Sequence, residues 1–338
     1  MNYRSIADLS RTIHSNLHKL PEDIDVVVGV PRSGLLAASI VALALNVRLA
    51  DIDGFSKGTL LASGHTRRIK ALDESIAEAA NILVVDDSVN TGTSMAQARE
   101  KLAQIFPDKT ITFCAIYGAK PASLGTDLIL EVVPHPRLFQ WNIFHHDLLS
   151  KCCVDIDGVL CVDPTDAEND DGEAYIRFLL EAQPMCTPTK RVGYLVTSRL
   201  EKYRTETEHW LRRRGIEFNQ LIMLDLPTKA DRQRLAAHGT FKGNIFKESD
   251  ALLFIESNRL QALEIARLSG KPALCVETQE IFTPDPYSSE AIVQAMKRIS
   301  KPHNVSPFLK SLARRALGSN LYDTVKKVSA KVGSGWNS

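Results

Sequence analysis

The chain has 338 residues, with 41 lysines and arginines against 40 aspartates and glutamates. That length suits two domains of ordinary size, each able to bury its own core. The balanced charge gives no global attraction for nucleic acid. No apolar run reaches the roughly 20 residues that span a bilayer, and the opening stretch MNYRSIADLSRTIHSNL lacks a continuous signal-peptide core. The six cysteines (Cys114, Cys152, Cys153, Cys161, Cys186 and Cys275) form no CxxC pair, and five lie in or beside apolar segments. They read as reduced core residues of a cytoplasmic protein.

In chain order, short β-branched runs alternate with helix-length amphipathic segments, which predicts an α/β protein of two Rossmann-like domains with mainly parallel sheets. The first series of strands is expected at 24–30, 81–87, 110–118 and 127–133. The second is expected at 151–157, 192–197, 221–225, 251–256 and 272–276. Between them, in PHPRLFQWNIFHHDLLS (134–150), the periodicity breaks and aromatics cluster, so the junction is placed there. The expected division is 1–145, 146–300 and a basic helical tail, 301–338. His135, His145 and His146 at the junction read as hydrogen-bonding residues before metal ligands.

The segment ILVVDDSVNTGTSMAQAREKL delivers Asp86 and Asp87 from a buried strand into a loop, and a helix begins near Thr93. Ser88, Thr91, Gly92, Thr93 and Ser94 then sit where amides and hydroxyls converge at a helix N-terminus, which suits a phosphate dianion. The adjacent carboxylates can hold ribose hydroxyls, directly or through a metal, so one loop matches a 5-phosphoribosyl group. This segment resembles the phosphoribosyl pyrophosphate signature of type I phosphoribosyltransferases. A second match is VVVGVPRSGLLAASIVALAL, whose loop Pro31, Arg32, Ser33 and Gly34 would, by that resemblance, bind the pyrophosphate. GFSKGTLLASGHTRRIK, with Lys57, His65, Arg67 and Arg68, looks like the family's closing flap. Asn90 departs from purine-using relatives that place an acid there to assist the base.

KCCVDIDGVLCVDPTD reads as a strand delivering two carboxylates and then a glycine turn. Phosphoryl transfer of this kind needs one carboxylate as nucleophile and another to move the proton. The stretch resembles motif I of haloacid dehalogenase phosphatases, which implies attack by Asp155, with Asp157 as acid and then base. YLVTSRLEKYR fits motif II, with Thr197 as phosphoryl ligand and Ser198 as the alternative. Lys242 fits the charge-neutralising lysine of motif III, with Lys247 second. ALLFIESN occupies motif IV, where Glu256, followed by Asn258, replaces the usual aspartates. The resemblance implies Mg²⁺ held by Asp155, Asp157 and Glu256. The acidic loop at Glu168, Asp170 and Asp171 reads as solvated. About forty residues separate motifs I and II, too few for a large lid, so a minimal cap is expected.

Together the two sites suggest phosphoribosyl transfer followed by removal of the 5-phosphate. The arrangement from about residue 20 to 300 resembles dual-domain ribofuranosyltransferases of bacterial surface-polysaccharide assembly. That resemblance implies phosphoribosyl pyrophosphate as donor and a glycan, in some cases lipid-linked, as acceptor. The competing readings are a nucleobase phosphoribosyltransferase coupled to a 5-nucleotidase, and a regulator that senses phosphoribosyl pyrophosphate. A homodimer is compatible, since this transferase fold often pairs. The tail carries Lys310, Arg314, Arg315, Lys326, Lys327 and Lys331 against Asp323, with apolar residues at helical intervals. Such a segment suits the inner face of a membrane, a partner, or docking on the protein's own body.

Overall fold

The computed structural model describes residues 1–62, 76–121, 123, 125–234 and 237–284. Arg67 and Arg68 of the flap and the 301–338 tail lie outside the described residues. The chain divides after Ile143 into two compact units.

The first unit runs β1 (Asn2–Arg4), α1 (Ile6–Ser15), β2 (Val26–Gly29), α2 (Ser33–Leu45), β3 (Arg48–Asp51) and α3 (Ile52–Ser56). It continues with β4 (Asn81–Val89), α4 (Thr93–Ile105), β5 (Thr110–Gly118), β6 (Leu128–Val132) and β7 (Arg137–Phe139). Five strands form a parallel sheet in the order β3-β2-β4-β5-β6. Both faces are covered, which is why β2 is a continuous valine run with no polar alternation. Val27, Leu83 and Val85 pack with Leu9, Ile13 and Val41 on one face. Val26, Val28 and Val84 pack with Phe55, Met95 and Leu102 on the other. β1, β3 and β7 were not legible as periodic runs, since each has only three or four residues and carries a charge. β7 falls inside the aperiodic segment and pairs in parallel with β1, joining residues 2–4 to 137–139.

The second unit runs β8 (Cys152–Val154), α5 (Glu173–Glu181), β9 (Val192–Leu200), α6 (Arg204–Arg213), β10 (Phe218–Leu224) and α7 (Lys229–Arg234). It continues with α8 (Ala237–Glu248), β11 (Leu253–Glu256), α9 (Arg259–Ser269), β12 (Ala273–Cys275) and β13 (Glu280–Phe282). Its sheet order is β10-β9-β8-β11-β12-β13, parallel except for β13. The buried Trp210 ties α6 to the end of α5 by donating to the Ala182 carbonyl at 2.8 Å. All six cysteines are free thiols, five of them buried. Among the described residues no helix is long and apolar enough to cross a membrane.

Each sheet reverses its winding once. In the first, β2 is followed by β3 on one side and β4 on the other; in the second, β8 is followed by β9 on one side and β11 on the other. The crevice beyond the carboxyl ends of the strands at such a reversal is where open α/β sheets bind ligands. Both motif sets fall there.

Candidate functional sites

In the first unit the crevice is framed by the loop before α2 and the loop before α4. Val30 N–H donates to the Val85 carbonyl at 3.0 Å, and the Pro31–Arg32 peptide bond is cis. α2 presses against the end of β4, because a Cβ on Gly34 would lie 2.9 Å from both Asp86 Oδ1 and the Val85 carbonyl oxygen. Only glycine permits that approach. Gly92 caps α4 with φ 83°, a left-handed conformation that glycine adopts without strain. Around it Thr91, Thr93 and Ser94 are exposed, and the two threonine hydroxyls meet at 2.9 Å. Exposed hydroxyls at the N-terminus of a helix form a cradle for a phosphate dianion. Pro31 and Arg32 are exposed on the facing loop.

The two aspartates are not equivalent. β4 runs on to Val89, past the end expected at Asp87, so Asp86 and Ser88 share one face while Asp87 and Val89 share the other. Asp87 is buried and accepts from Trp141 Nε1 at 2.8 Å. Arg137 donates to the Val89 carbonyl, and His135 Nε2 meets Asn90 Oδ1 at 3.1 Å. Three side chains from 135–141 thus hold the back of the phosphate loop. Sequence reasoning missed Arg137 and Trp141 because aperiodic segments carry no positional signal. The other junction histidines also make hydrogen bonds: His145 meets Thr189 Oγ1 at 2.9 Å, and His146 accepts from Leu148 N–H at 3.1 Å.

Burial, then the charge of Asp87, pushes the Asp86 carboxyl up to about 8. The native state therefore holds this proton while the unfolded chain releases it near pH 4. Its stabilising effect is complete below the unfolded value and is lost as pH rises from about 4 to about 8. Asp86→Asn cannot ionise, so its melting temperature relative to the parent should climb across that interval. A flat difference in melting temperature from pH 4 to pH 8 would refute this.

In the second unit, Asp155 directly follows β8 and Glu256 ends β11. Lys242, on α8, donates to Asp155 Oδ2 at 2.6 Å, Glu256 Oε2 at 2.7 Å and Gln261 Oε1 at 3.0 Å. Asp155, Lys242 and Glu256 are 5 %, 2 % and 0 % exposed. The remaining oxygens accept backbone amides: Asp155 Oδ1 from Ile156 at 2.8 Å, and Glu256 Oε1 from Ser257 at 3.0 Å and Asn258 at 3.2 Å. Burial pushes the Asp155 carboxyl up to about 8; Lys242 opposes the shift, while Glu256 and Asp157 add to it. For Lys242, burial favours the neutral amine, yet the two carboxylates overcome it and raise its pKa.

Asp157 has a different partner from the one expected. Its carboxylate is paired with the fully buried Arg199, with Nη2–Oδ1 at 2.6 Å and Nε–Oδ2 at 3.1 Å. The sequence assigns that carboxylate to proton transfer and to Mg²⁺, and in the structure an arginine engages both of its oxygens. An arginine inside an apolar strand was the available signal, because a buried guanidinium requires an acid. Thr197 is fully buried and accepts from Arg199 N–H at 3.2 Å, with Ser198 beside it. Lys247 is exposed near the end of α8 and makes no contact with these carboxylates. Asn258 caps α9, accepting from Leu260 N–H and Gln261 N–H at 3.0 and 3.1 Å. The acidic loop is more structured than expected, since Asp170 accepts from Gly172 N–H at 2.8 Å and Asp171 pairs with Lys202 at 2.9 Å.

Gly158 turns the chain after Asp157 with φ +73°, and a Cβ there would sit 2.5 Å from Ser257 Oγ. Gly158→Ala should cost about 1–2 kcal/mol for the left-handed backbone alone, plus whatever is needed to move Ser257. A urea midpoint equal to that of the parent would contradict this.

These groups enclose a cavity of about 200 Å³, whose lining includes Asp155, Thr197, Ser198, Arg232, Lys242 and Glu256. Among the described residues no group of three or more His, Cys, Asp or Glu side chains is set to hold a metal ion. Asp155 and Glu256 still offer hard oxygens with unused lone pairs, a donor set suited to a hard divalent cation.

Comparisons with known proteins bear on the first unit. Residues 2–148 match the phosphoribosyl transferase domain model. The xanthine-guanine phosphoribosyltransferase of Chromohalobacter salexigens is 33% identical over 141 residues, covering 41% of this chain and 80% of its own length. Among solved structures, the Helicobacter pylori xanthine-guanine-hypoxanthine phosphoribosyltransferase is 20% identical with a TM-score of 0.32, covering 42% of this chain and 92% of that one. The Saccharomyces cerevisiae adenine phosphoribosyltransferase is 25% identical with a TM-score of 0.23, covering 33% and 68%.

Proposed function

Because the chain belongs to the phosphoribosyltransferase family through residues 2–148, we propose that it moves a phosphoribosyl group from phosphoribosyl pyrophosphate to an acceptor and then removes the 5-phosphate in its second unit. The net reaction is transfer of a ribofuranosyl group, with a glycan of a surface polysaccharide as the acceptor. The observation that carries the second step is the buried Asp155–Lys242–Glu256 cluster at the winding reversal of a parallel sheet. A structural ion cluster has no need to line a cavity at the one edge of the sheet where ligands bind.

In the first step, the loop before α4 holds the 5-phosphate, Asp86 addresses the ribose hydroxyls, and Arg32 faces the pyrophosphate. In-line displacement at C1 inverts the α donor to a β product. In the second step, Asp155 Oδ attacks phosphorus and the bond to the ester oxygen breaks. Asp157 moves the proton through Oδ2, the oxygen less tightly held by Arg199. Water then releases phosphate from the aspartyl intermediate. When bound, Mg²⁺ would be held by Asp155 and Glu256 and would offset charge on the phosphoryl oxygens.

Asn90 favours a glycan over a base. Its amide oxygen is turned to His135 and cannot take a proton from a nucleobase. The xanthine-guanine relative favours the second reading, a nucleobase phosphoribosyltransferase coupled to a 5-nucleotidase. The two separate in a mass-spectrometric screen of the native protein with phosphoribosyl pyrophosphate, Mg²⁺, synthetic glycans and free bases. A ribosyl-glycan without phosphate supports the first reading. Products on bases alone move the protein to nucleotide metabolism.

A further inference from the structure

Lys242 has an ammonium with three N–H donors. All three are engaged, by Asp155, Glu256 and Gln261. It therefore has no proton left to offer a phosphoryl oxygen without breaking one of these bonds. The residues lining the same cavity include Arg232 and Ser198, and each has one buried polar atom with no partner, Arg232 Nε and Ser198 Oγ. Both residues are 8 % exposed. Arg232 is fixed in place, since its Nη1 donates to the Ser198 carbonyl at 3.0 Å. A buried guanidinium N–H and a neighbouring hydroxyl left unpaired in a native cavity are costly unless a ligand oxygen completes them.

We propose that Arg232, with Ser198, is the anion-binding residue that grips the phosphoryl oxygens of the substrate, while Lys242 acts as a positioning residue that holds Asp155 and Glu256. The site takes a phosphomonoester dianion or inorganic phosphate. This inference rests on the phosphatase reading of the second unit. Sequence offered no hint of it: Arg232 lies on a six-residue polar helix ten positions ahead of Lys242, where no motif points.

The test is calorimetric titration of the full chain with inorganic phosphate, together with steady-state hydrolysis of ribose 5-phosphate. Phosphate held by the first unit's loop does not depend on Arg232 and serves as an internal reference. Arg232→Gln should weaken the second-unit phosphate site about tenfold or more, the loss of one charge-assisted hydrogen bond. KM for ribose 5-phosphate should rise more than kcat falls. Arg232→Lys, which keeps the charge but loses the fork, should restore part of the binding, and it carries the test if the glutamine variant fails to fold by circular dichroism. Ser198→Ala should weaken phosphate in the same direction. Folded Arg232 variants that bind phosphate within threefold of the parent would overturn the proposal, as would a native protein with no phosphate site beyond the first unit's. If ribose 5-phosphate is not hydrolysed but Arg232-dependent phosphate binding persists, the phosphatase reading falls and the anion site stands. Normal hydrolysis with unchanged KM in the variants gives the reverse.

Discussion

Asp155→Asn is expected to lower phosphomonoester hydrolysis by about 10⁴-fold or more, the scale seen when a nucleophile is removed from a site that works as a unit. The amide keeps the volume of the carboxylate and can still accept from Lys242, but it cannot attack phosphorus. The loss is read on the folded variant, since Asp155 accepts from both Ile156 N–H and Lys242 and an amide has a single oxygen to offer them. Phosphoribosyl transfer belongs to the first unit and should continue, so a phosphorylated ribosyl product should build up in the variant and not in the parent. Mass spectrometry of the two reaction mixtures reads this directly. If no phosphorylated product accumulates, the two chemistries are not sequential.

Lys242→Met should be the most destabilising single change in the second unit. It leaves Asp155 and Glu256 buried with no counter-charge, and removing one partner of such a pair costs about 3–5 kcal/mol. The pH dependence has a definite sign. Burial already pushes Asp155 up to about 8, and without the lysine its acid form is favoured further, so proton uptake relieves the repulsion. The destabilisation should be larger near pH 9.5 than near pH 6, because above about 8 the parent's Asp155 ionises beside Lys242 while the variant's stays protonated. Urea unfolding at the two pH values measures it, and an equal loss at both would mean that the cluster is not held by charge. Lys242→Met should also lose hydrolysis, by misplacing Asp155, whereas Arg232→Gln should act through substrate binding with little change in folding.

The sequence located both crevices because each is built from a long apolar strand that ends abruptly in polar residues. β4 and β9 have nine residues each, and in both an apolar run passes into polar residues that stay largely buried. Which carboxylate faces which partner was not legible. Asp86 and Asp87 take opposite faces wherever the strand ends, but the partner that distinguishes them, Trp141, comes from a segment with no periodicity. The partner of Asp157 was hidden for a related reason: motif spacing fixes where its backbone lies, but the buried arginine paired with its carboxylate comes from a neighbouring strand, 42 residues on. Arg137, Trp141 and Arg232 come from short or aperiodic segments, and only three-dimensional packing brings them to the loops.

The pairing of β1 with β7 bears on how the protein is made. Residues 2–4 are synthesised more than 130 residues before their hydrogen-bond partners, 136–139. The strand that carries Arg137 is thus completed by a segment made long before it, and closing so long a loop precedes any reward from the contact. Until then the early strand has no mate, and the support behind Val89 and Asp87 is unmade. The first unit therefore becomes competent only after nearly all of it has been synthesised, at about the moment β8 of the second unit starts to appear. A chain truncated near residue 120 lacks β6 and β7, and pulse proteolysis should cut its phosphate loop, which a chain extending through 143 protects.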